Sequence, residues 1–136
     1  KVSREIPVIF PIHPRTRKMI DLFEYGDVVN GENIYVVEPF SYIEMLWVID
    51  NSKVVMSDSG GLQEEACILG TPCVTLRDNT ERPEAVDVGA NIIAGVEVDK
   101  VYSAFQEQIK LANSGEKWIN PFGDGRAAEK IAKAIE

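Results

Sequence analysis

The 136-residue sequence predicts a doubly wound parallel α/β fold built in three α/β/α layers. Three observations carry that expectation. Five short apolar runs rich in Val and Ile are nearly continuous rather than alternating, as strands buried on both faces of a parallel sheet are. The stretches between them place apolar residues at helical spacing. The segments that directly follow the runs are the most polar and unusual in the chain, and in open parallel sheets ligands bind beyond the carboxyl ends of the strands.

The runs are "IPVIF" (6–10), "IYVVE" (34–38), "KVVMS" (53–57), "CVTLR" (73–77) and "NIIAG" (91–95), each bounded by turn residues. After the first, "HPRTRK" opens a helix in which Pro14 suits the first turn. Residues 41–50 put Ile43, Leu46 and Trp47 on one helical face. After the third run, Ser59 can cap a helix whose apolar positions are Leu62, Ala66 and Leu69. Residues 99–113 carry a stripe of Val101, Phe105, Ile109 and Ala112, with Asp99 as the expected N-cap. The loop "GEKWINPFGDG" (115–125) then leads to a last helix, with Asp124 able to cap it and Ala128, Ile131, Ala132 and Ile135 on one face. Strand and helix alternate throughout, which implies crossover connections and a Rossmann-like sheet. One domain, residues 1–136, is expected, because this length gives one real core and not obviously two.

Composition narrows the function. The net charge of −8 argues against a general nucleic-acid surface. No apolar run is long enough to span a bilayer, so no membrane partner is expected. The first residues lack the charged-then-apolar pattern of a leader. Cys67 and Cys73 fall in apolar contexts and read as reduced core thiols of a cytoplasmic protein rather than as a disulfide. A single histidine excludes a finger-type zinc site, and no metal is expected. The chain has no starting methionine and enters a strand almost at once, so a trimmed protein or a piece of a longer one is expected.

Four segments can carry chemistry. Ser59-Gly60-Gly61 lies between a strand and a helix; free N–H groups, the helix dipole and side-chain-free backbone make an anion site there. It is neither a Walker loop nor GxGxxG. Glu64 and Glu65 follow. On a helix they point about a hundred degrees apart, so one can face a ligand while the other is solvated, and spacing does not choose between them. A carboxylate one turn beyond a phosphate-binding helix start is well placed to accept from ribose hydroxyls. In "HPRTRK", Arg15, Arg17 and Lys18 crowd a helix N-terminus, where cations oppose the dipole unless an anion is bound. His13 beside them can donate to a phosphate or carry a proton. "RDNTERPE" (77–84) is either a mutual ion-pair cluster or a loop aiming Thr80 and Arg82 at the same anion as Ser59. His13 is far in sequence from every serine and cysteine of interest, which argues against a hydrolase triad.

With these segments in view, the chain resembles the C-terminal half of the non-hydrolysing UDP-N-acetylglucosamine 2-epimerases. The stretches that carry the likeness are "FPIHPRT", "VVEPFSYIEML", "MSDSGGLQEEACILGTPCVTLRDNTERPEAVDVGAN" and "NPFGDGRAAEKI", in the family's order and over nearly the whole chain. The resemblance implies one half of a glycosyltransferase-B type fold, with the nucleotide sugar held between two domains. It implies that Ser59, Gly60 and Gly61 hold the diphosphate of UDP and that Glu65 binds the ribose hydroxyls. It places the Pro39–Tyr42 turn, with Phe40 and Tyr42, near the uracil. It turns His13 and Arg15 toward substrate or a second UDP-sugar, and lets Arg82 neutralise phosphate or tie the halves together.

The implied reaction removes a proton at sugar C2, expels UDP by elimination and re-adds it on the other face, converting UDP-GlcNAc to UDP-ManNAc for polysaccharide biosynthesis without a cofactor. The main acid/base carboxylates of the family sit in the other half, so the catalytic residues are not named here and the chain alone is expected to be inactive. The expected partners are UDP-GlcNAc or UDP, the missing N-terminal domain and, for the full-length protein, a second copy in a homodimer. Two other readings stay open: half of a nucleotide-sugar hydrolase or glycosyltransferase, which the TERPE segment argues against, and a non-catalytic nucleotide-binding module.

Overall fold

Each apolar run becomes a strand in the computed structural model, which describes residues 1–135. Glu136, the end of the predicted last helix, lies outside the described residues. The strands are β1 (Val8–Pro11), β2 (Ile34–Val37), β3 (Val55–Ser57), β4 (Cys73–Thr75) and β5 (Asn91–Ile93). The helices are α1 (Pro14–Leu22), α2 (Gly26–Val29), α3 (Tyr42–Asp50), α4 (Gly60–Leu69), α5 (Pro83–Asp87), α6 (Val98–Ser114) and α7 (Ala127–Ile135). All ladders are parallel: β1 pairs with β2, and β4 lies between β3 and β5. The fold is therefore a parallel, Rossmann-like α/β fold, carried by a sheet of two strands and a sheet of three. The chain divides into two compact units, Lys1–Trp47 and the remainder from Val48 onward.

In the first unit, β1 and β2 run in register from Val8 opposite Ile34 to Pro11 opposite Val37. Only one face of this pair is covered. Ile9 and its partner Tyr35 are 52% and 54% exposed, so the expectation of strands buried on both faces fails here. A continuous apolar run puts apolar side chains on both faces whether or not anything covers the second. Helix α1 is capped by His13, whose Nδ1 accepts the N–H of Arg15 at 3.2 Å. Helix α3 starts with a capping box that fixes the turn after Pro39: the N–H and hydroxyl of Ser41 both donate to Glu44 Oε2, at 2.8 and 2.6 Å. These bonds hold the Glu44 carboxyl below its usual range. The predicted apolar face of α3 is corrected. Ile49 is its buried residue, while Ile43 and Trp47 are exposed at 72% and 66%.

The second unit holds a three-layer arrangement. Register places Met56, Val74 and Ile92 side by side on one face of β3–β4–β5. They pack with Ala94, Val101 and Ala104, which brings α6 onto that face. The opposite face carries Ser57, Thr75 and Asn91, and α4 lies there through Gln63. Cys67, Ala85 and Ala90 form a second cluster, closed by Val88, Trp118 and Phe122. The Trp118 indole N–H donates to the carbonyl of Cys67 at 2.9 Å, so the irregular 115–125 loop is pinned under α4. All three residues of β4 are buried, as its continuous apolar run predicts.

Three details of the helices differ from expectation. The N-cap of α6 falls two residues earlier than expected, at Glu97 in extended conformation, so Asp99 sits inside the first turn. Its buried line is Ala104, Phe105 and Gln108, rotated from the predicted stripe because Gln108 donates to the carbonyl of Cys73 at 3.0 Å. Helix α7 carries no buried residue, and Ile131 and Ile135 face solvent. Asp124 stabilises the approach to α7 instead of its N-cap, accepting the N–H of Arg126 and the ammonium of Lys130, both at 3.1 Å. Both cysteines are free and buried, and burial pushes the Cys73 thiol up to about 12.

Two outcomes follow from this core. Phe105→Ala, at a residue 1% exposed, should cost about 3–5 kcal/mol in denaturant unfolding. A thiol reagent at neutral pH should leave Cys67 and Cys73 unmodified in the native chain and label both in guanidinium, as read by mass spectrometry.

Candidate functional site

The polar segments after β3 and β4 converge on the start of α4. Ser57 ends β3 nearly buried, and its hydroxyl accepts the N–H of Ser59 at 3.1 Å, which turns the chain sharply out of the sheet. Ser59 then caps α4: its Oγ accepts the N–H of Leu62 at 3.5 Å, and its carbonyl accepts from Gln63 at 3.1 Å. The N–H groups of Gly60 and Gly61 are left open by helix geometry, at the positive end of the α4 dipole. Gly70, in the left-handed conformation at φ 82°, ends the helix.

Why glycine stands at 60 is answered by Glu81. A Cβ on Gly60 would lie 2.9 Å from Glu81 Oε2, so the chain's own carboxylate sits against the helix start. Glu81 is held there by a two-pronged ion pair with Arg77, Nη2 to Oε1 at 2.9 Å and Nη1 to Oε2 at 3.3 Å. The Arg77 guanidinium keeps the Glu81 carboxyl below its usual range. A Cβ on Gly61 would come no closer than 3.8 Å to Ser59 Oγ.

The three residues Gln63, Glu64 and Glu65 separate into three environments. Gln63 is fully buried, and its Oε1 accepts from the Thr80 hydroxyl at 2.5 Å and from the Asn91 amide at 3.4 Å. Thr80 Oγ1 in turn accepts the N–H of Arg82 at 3.0 Å, so its one hydroxyl proton is committed to Gln63. Glu64 takes the Nε–H of Arg82 at 2.5 Å, and Arg82 Nη1 also donates to the carbonyl of Glu81 at 3.1 Å. Glu65 has no hydrogen-bond or ion-pair partner among the described residues. Partial burial, and secondarily the charge of Glu64, push its carboxyl above its usual range.

The remaining candidates lie in the first unit. His13, at the end of β1, uses Nδ1 to cap α1, which in the neutral ring leaves Nε2–H as a donor. Arg17 pairs with Glu38 at 3.1 Å, whereas Arg15 and Lys18 form no ion pair among the described residues. Phe40 is half-buried and Tyr42 is 64% exposed, on either side of the Ser41 cap. The structure thus gathers Ser59, Gly60, Gly61, Glu65, Thr80 and Arg82 in the second unit, and His13, Arg15, Phe40 and Tyr42 in the first. Two further residues join the second-unit group, Gln63 and Glu81, which the sequence did not mark as site residues. Their only sequence signals were a polar residue on the apolar side of α4 and an acid inside "TERPE".

Two substitutions separate the glycines. Gly61→Ala should stabilise the chain by about 0.5–1 kcal/mol, the usual gain in a helix. Gly60→Ala should gain less, because its methyl group must displace Glu81 from Arg77. Thermal unfolding of the two variants measures the difference.

The whole chain, residues 1–136, matches the family described as UDP-N-acetylglucosamine 2-epimerase. It is 45% identical over 129 residues to the UDP-N-acetylglucosamine 2-epimerase of Methanocaldococcus jannaschii, covering 94% of this chain and 34% of that one. It is 35% identical over 129 residues to the UDP-2,3-diacetamido-2,3-dideoxy-D-glucuronate 2-epimerase of Pseudomonas aeruginosa, covering 95% and 34%. The M. jannaschii UDP-GlcNAc 2-epimerase solved in complex with UDP-GlcNAc and UDP superposes with a TM-score of 0.82 at 44% identity, over 95% of this chain and 35% of that one. The chain spans about a third of the length of these relatives. Matched end to end by that family, and sharing its fold and nearly half its residues with one member, the chain belongs to the UDP-N-acetylglucosamine 2-epimerases.

Proposed function

We propose that this chain is the UDP-binding half of an enzyme that interconverts UDP-GlcNAc and UDP-ManNAc. The observation that carries the reading is the start of α4: a serine cap and two glycines open the helix directly beyond β3. In this reading the N–H groups of Gly60 and Gly61 and the hydroxyl of Ser59 bind the diphosphate, and Arg82 adds a cation. Glu65, a turn further along α4, accepts from the ribose hydroxyls. Phe40 and Tyr42 belong to the uracil end, and the Nε2–H of His13 and the Arg15 guanidinium serve a phosphate or the sugar. Thr80 contributes by holding the turn that carries Arg82.

The chemistry proposed for the whole enzyme is removal of the C2 proton, elimination of UDP and its re-addition to the other face of the sugar. This chain's part is electrostatic. Negative charge grows on the departing diphosphate, and a helix N-terminus with an adjacent guanidinium stabilises it without having to reorganise. The acid and base carboxylates are proposed to lie in the part of the epimerases that this sequence does not match, so the chain alone should not epimerise. The free buried thiols suit a reducing, cytoplasmic setting. In the full-length enzyme the partners are the other domain and a second copy of the protein.

Calorimetric titration with UDP tests the site. Ser59→Ala and Glu65→Ala should each weaken binding by about tenfold, the order of one lost hydrogen bond to a charged group; unchanged affinity in both would refute the assignment. Glu65 must be ionised to accept two hydroxyls, and its carboxyl titrates above the ordinary 4.5. UDP affinity in wild type, relative to Glu65→Gln, should therefore fall on acidification before the pH reaches 4.5. Incubation of the chain with UDP-GlcNAc in heavy water should show no deuterium at C2; measurable exchange would place an acid/base pair within these residues.

A further inference from the structure

We infer that Glu64 is a positioning residue, which holds the Arg82 guanidinium in the orientation needed to meet a diphosphate at the start of α4. The inference rests on the UDP-binding reading above and extends it to a residue that the reading leaves without a role. Glu64 and Arg82 are 18 positions apart in sequence, on α4 and at the residue that precedes α5, and the ion pair is the direct link between their side chains. Both side chains are about one-third exposed, at 35% and 38%. The pair is therefore neither a screened surface contact nor a fully desolvated one.

The geometry fixes Arg82 from three sides. Its N–H is held by Thr80 Oγ1, which Gln63 holds in turn. Its Nε–H goes to Glu64 and one Nη1 proton to the carbonyl of Glu81. A guanidinium has five N–H donors in a rigid fork. With Nε and one Nη1 position occupied, the donors on Nη2 and the second on Nη1 remain for an incoming anion. Without Glu64, Arg82 keeps its charge and loses the contact that orients the plane of the fork, and the ordering of a long side chain must then be met from the binding free energy of the ligand.

Glu64 also places a negative charge near the anion, so the two effects have opposite signs, and a titration decides between them. In the free chain, the Arg82 Nε–H resonance should be visible and protected from exchange at neutral pH in wild type, and lost in Glu64→Gln while the amide spectrum stays folded. UDP should bind Glu64→Gln about tenfold more weakly than wild type, with uridine affinity unchanged, because only the phosphates meet Arg82. Glu64→Asp, which keeps the charge on a shorter arm, should fall between them. In an Arg82→Ala background, Glu64→Gln should no longer weaken UDP binding, and loss of its repelling charge should leave the affinity equal or tighter. Equal or tighter UDP binding by Glu64→Gln, an equal loss for UDP and uridine, or an unprotected Arg82 resonance in wild type would each overturn the proposal alone. A wild-type chain that binds no UDP at millimolar concentration would overturn the site reading and this proposal with it.

Discussion

The carboxyl edge of the sheet in the second unit depends on one buried amide. Gln63 is inaccessible to water, and an acceptor in that position must be matched within the protein. Its Oε1 takes protons from Thr80 and Asn91, and Asn91 Oδ1 takes the hydroxyl proton of Thr75. Four elements are joined by this chain: α4, the loop after β4, β4 itself and β5. Its Nε2 has no partner among the described residues, so the network carries the cost of one unmatched donor, about 1–3 kcal/mol. An apolar residue at 63 would avoid that cost and leave the 80–82 turn unattached. The unmatched donor is the sign that position rather than stability is what the amide secures.

From that anchor the loop's charges fall into pairs. Thr80, held by Gln63, holds the backbone of Arg82, and Glu64 takes its side chain. Arg77 takes Glu81 and Asn79, which leaves Glu81 against Gly60. Of the two readings weighed from sequence, the mutual ion-pair cluster is the one observed, as Arg77 with Glu81 and Arg82 with Glu64. The pairing keeps two arginines extended near a helix N-terminus, where unpaired cations would oppose the dipole and swing away.

Much of this was legible in the sequence, and the limits have physical causes. The five strands could be read because a buried parallel strand needs an unbroken apolar run, and Ser59 because a helix start needs a cap. Buried helix faces were less legible: periodicity shows that Ile43 and Trp47 share a side of α3, but what covers that side is decided by packing, and here Ile49 turns inward instead. Spacing also failed to choose between Glu64 and Glu65, because the choice is made by Arg82, 18 residues away from Glu64. Gln63 was passed over for the same reason, its partner being 17 residues distant. Local rules govern caps and periods; pairings across a crossover come only with the fold.

The charge pattern also resolves an apparent conflict between an acidic chain and the anionic ligand proposed for it. The net charge of −8 would disfavour a diphosphate if it acted at a distance. At physiological ionic strength, exposed charges are screened beyond about 8 Å, so the field at α4 is set by its neighbours. Those neighbours cancel: Arg77 with Glu81, Arg82 with Glu64. Outside these pairs lie the N-terminal end of α4, Asp58 just before its cap, and Glu65 a turn further on. Glu65 is itself held toward its neutral form by burial and by Glu64. A helix end that favours anions, with a carboxylate a turn further on, suits the proposed ligand, which carries phosphate at one end and ribose hydroxyls a turn away. Of the two adjacent glutamates, Glu64 is answered by Arg82, while Glu65 is partly buried, with its carboxyl raised above its usual range by that burial and by Glu64.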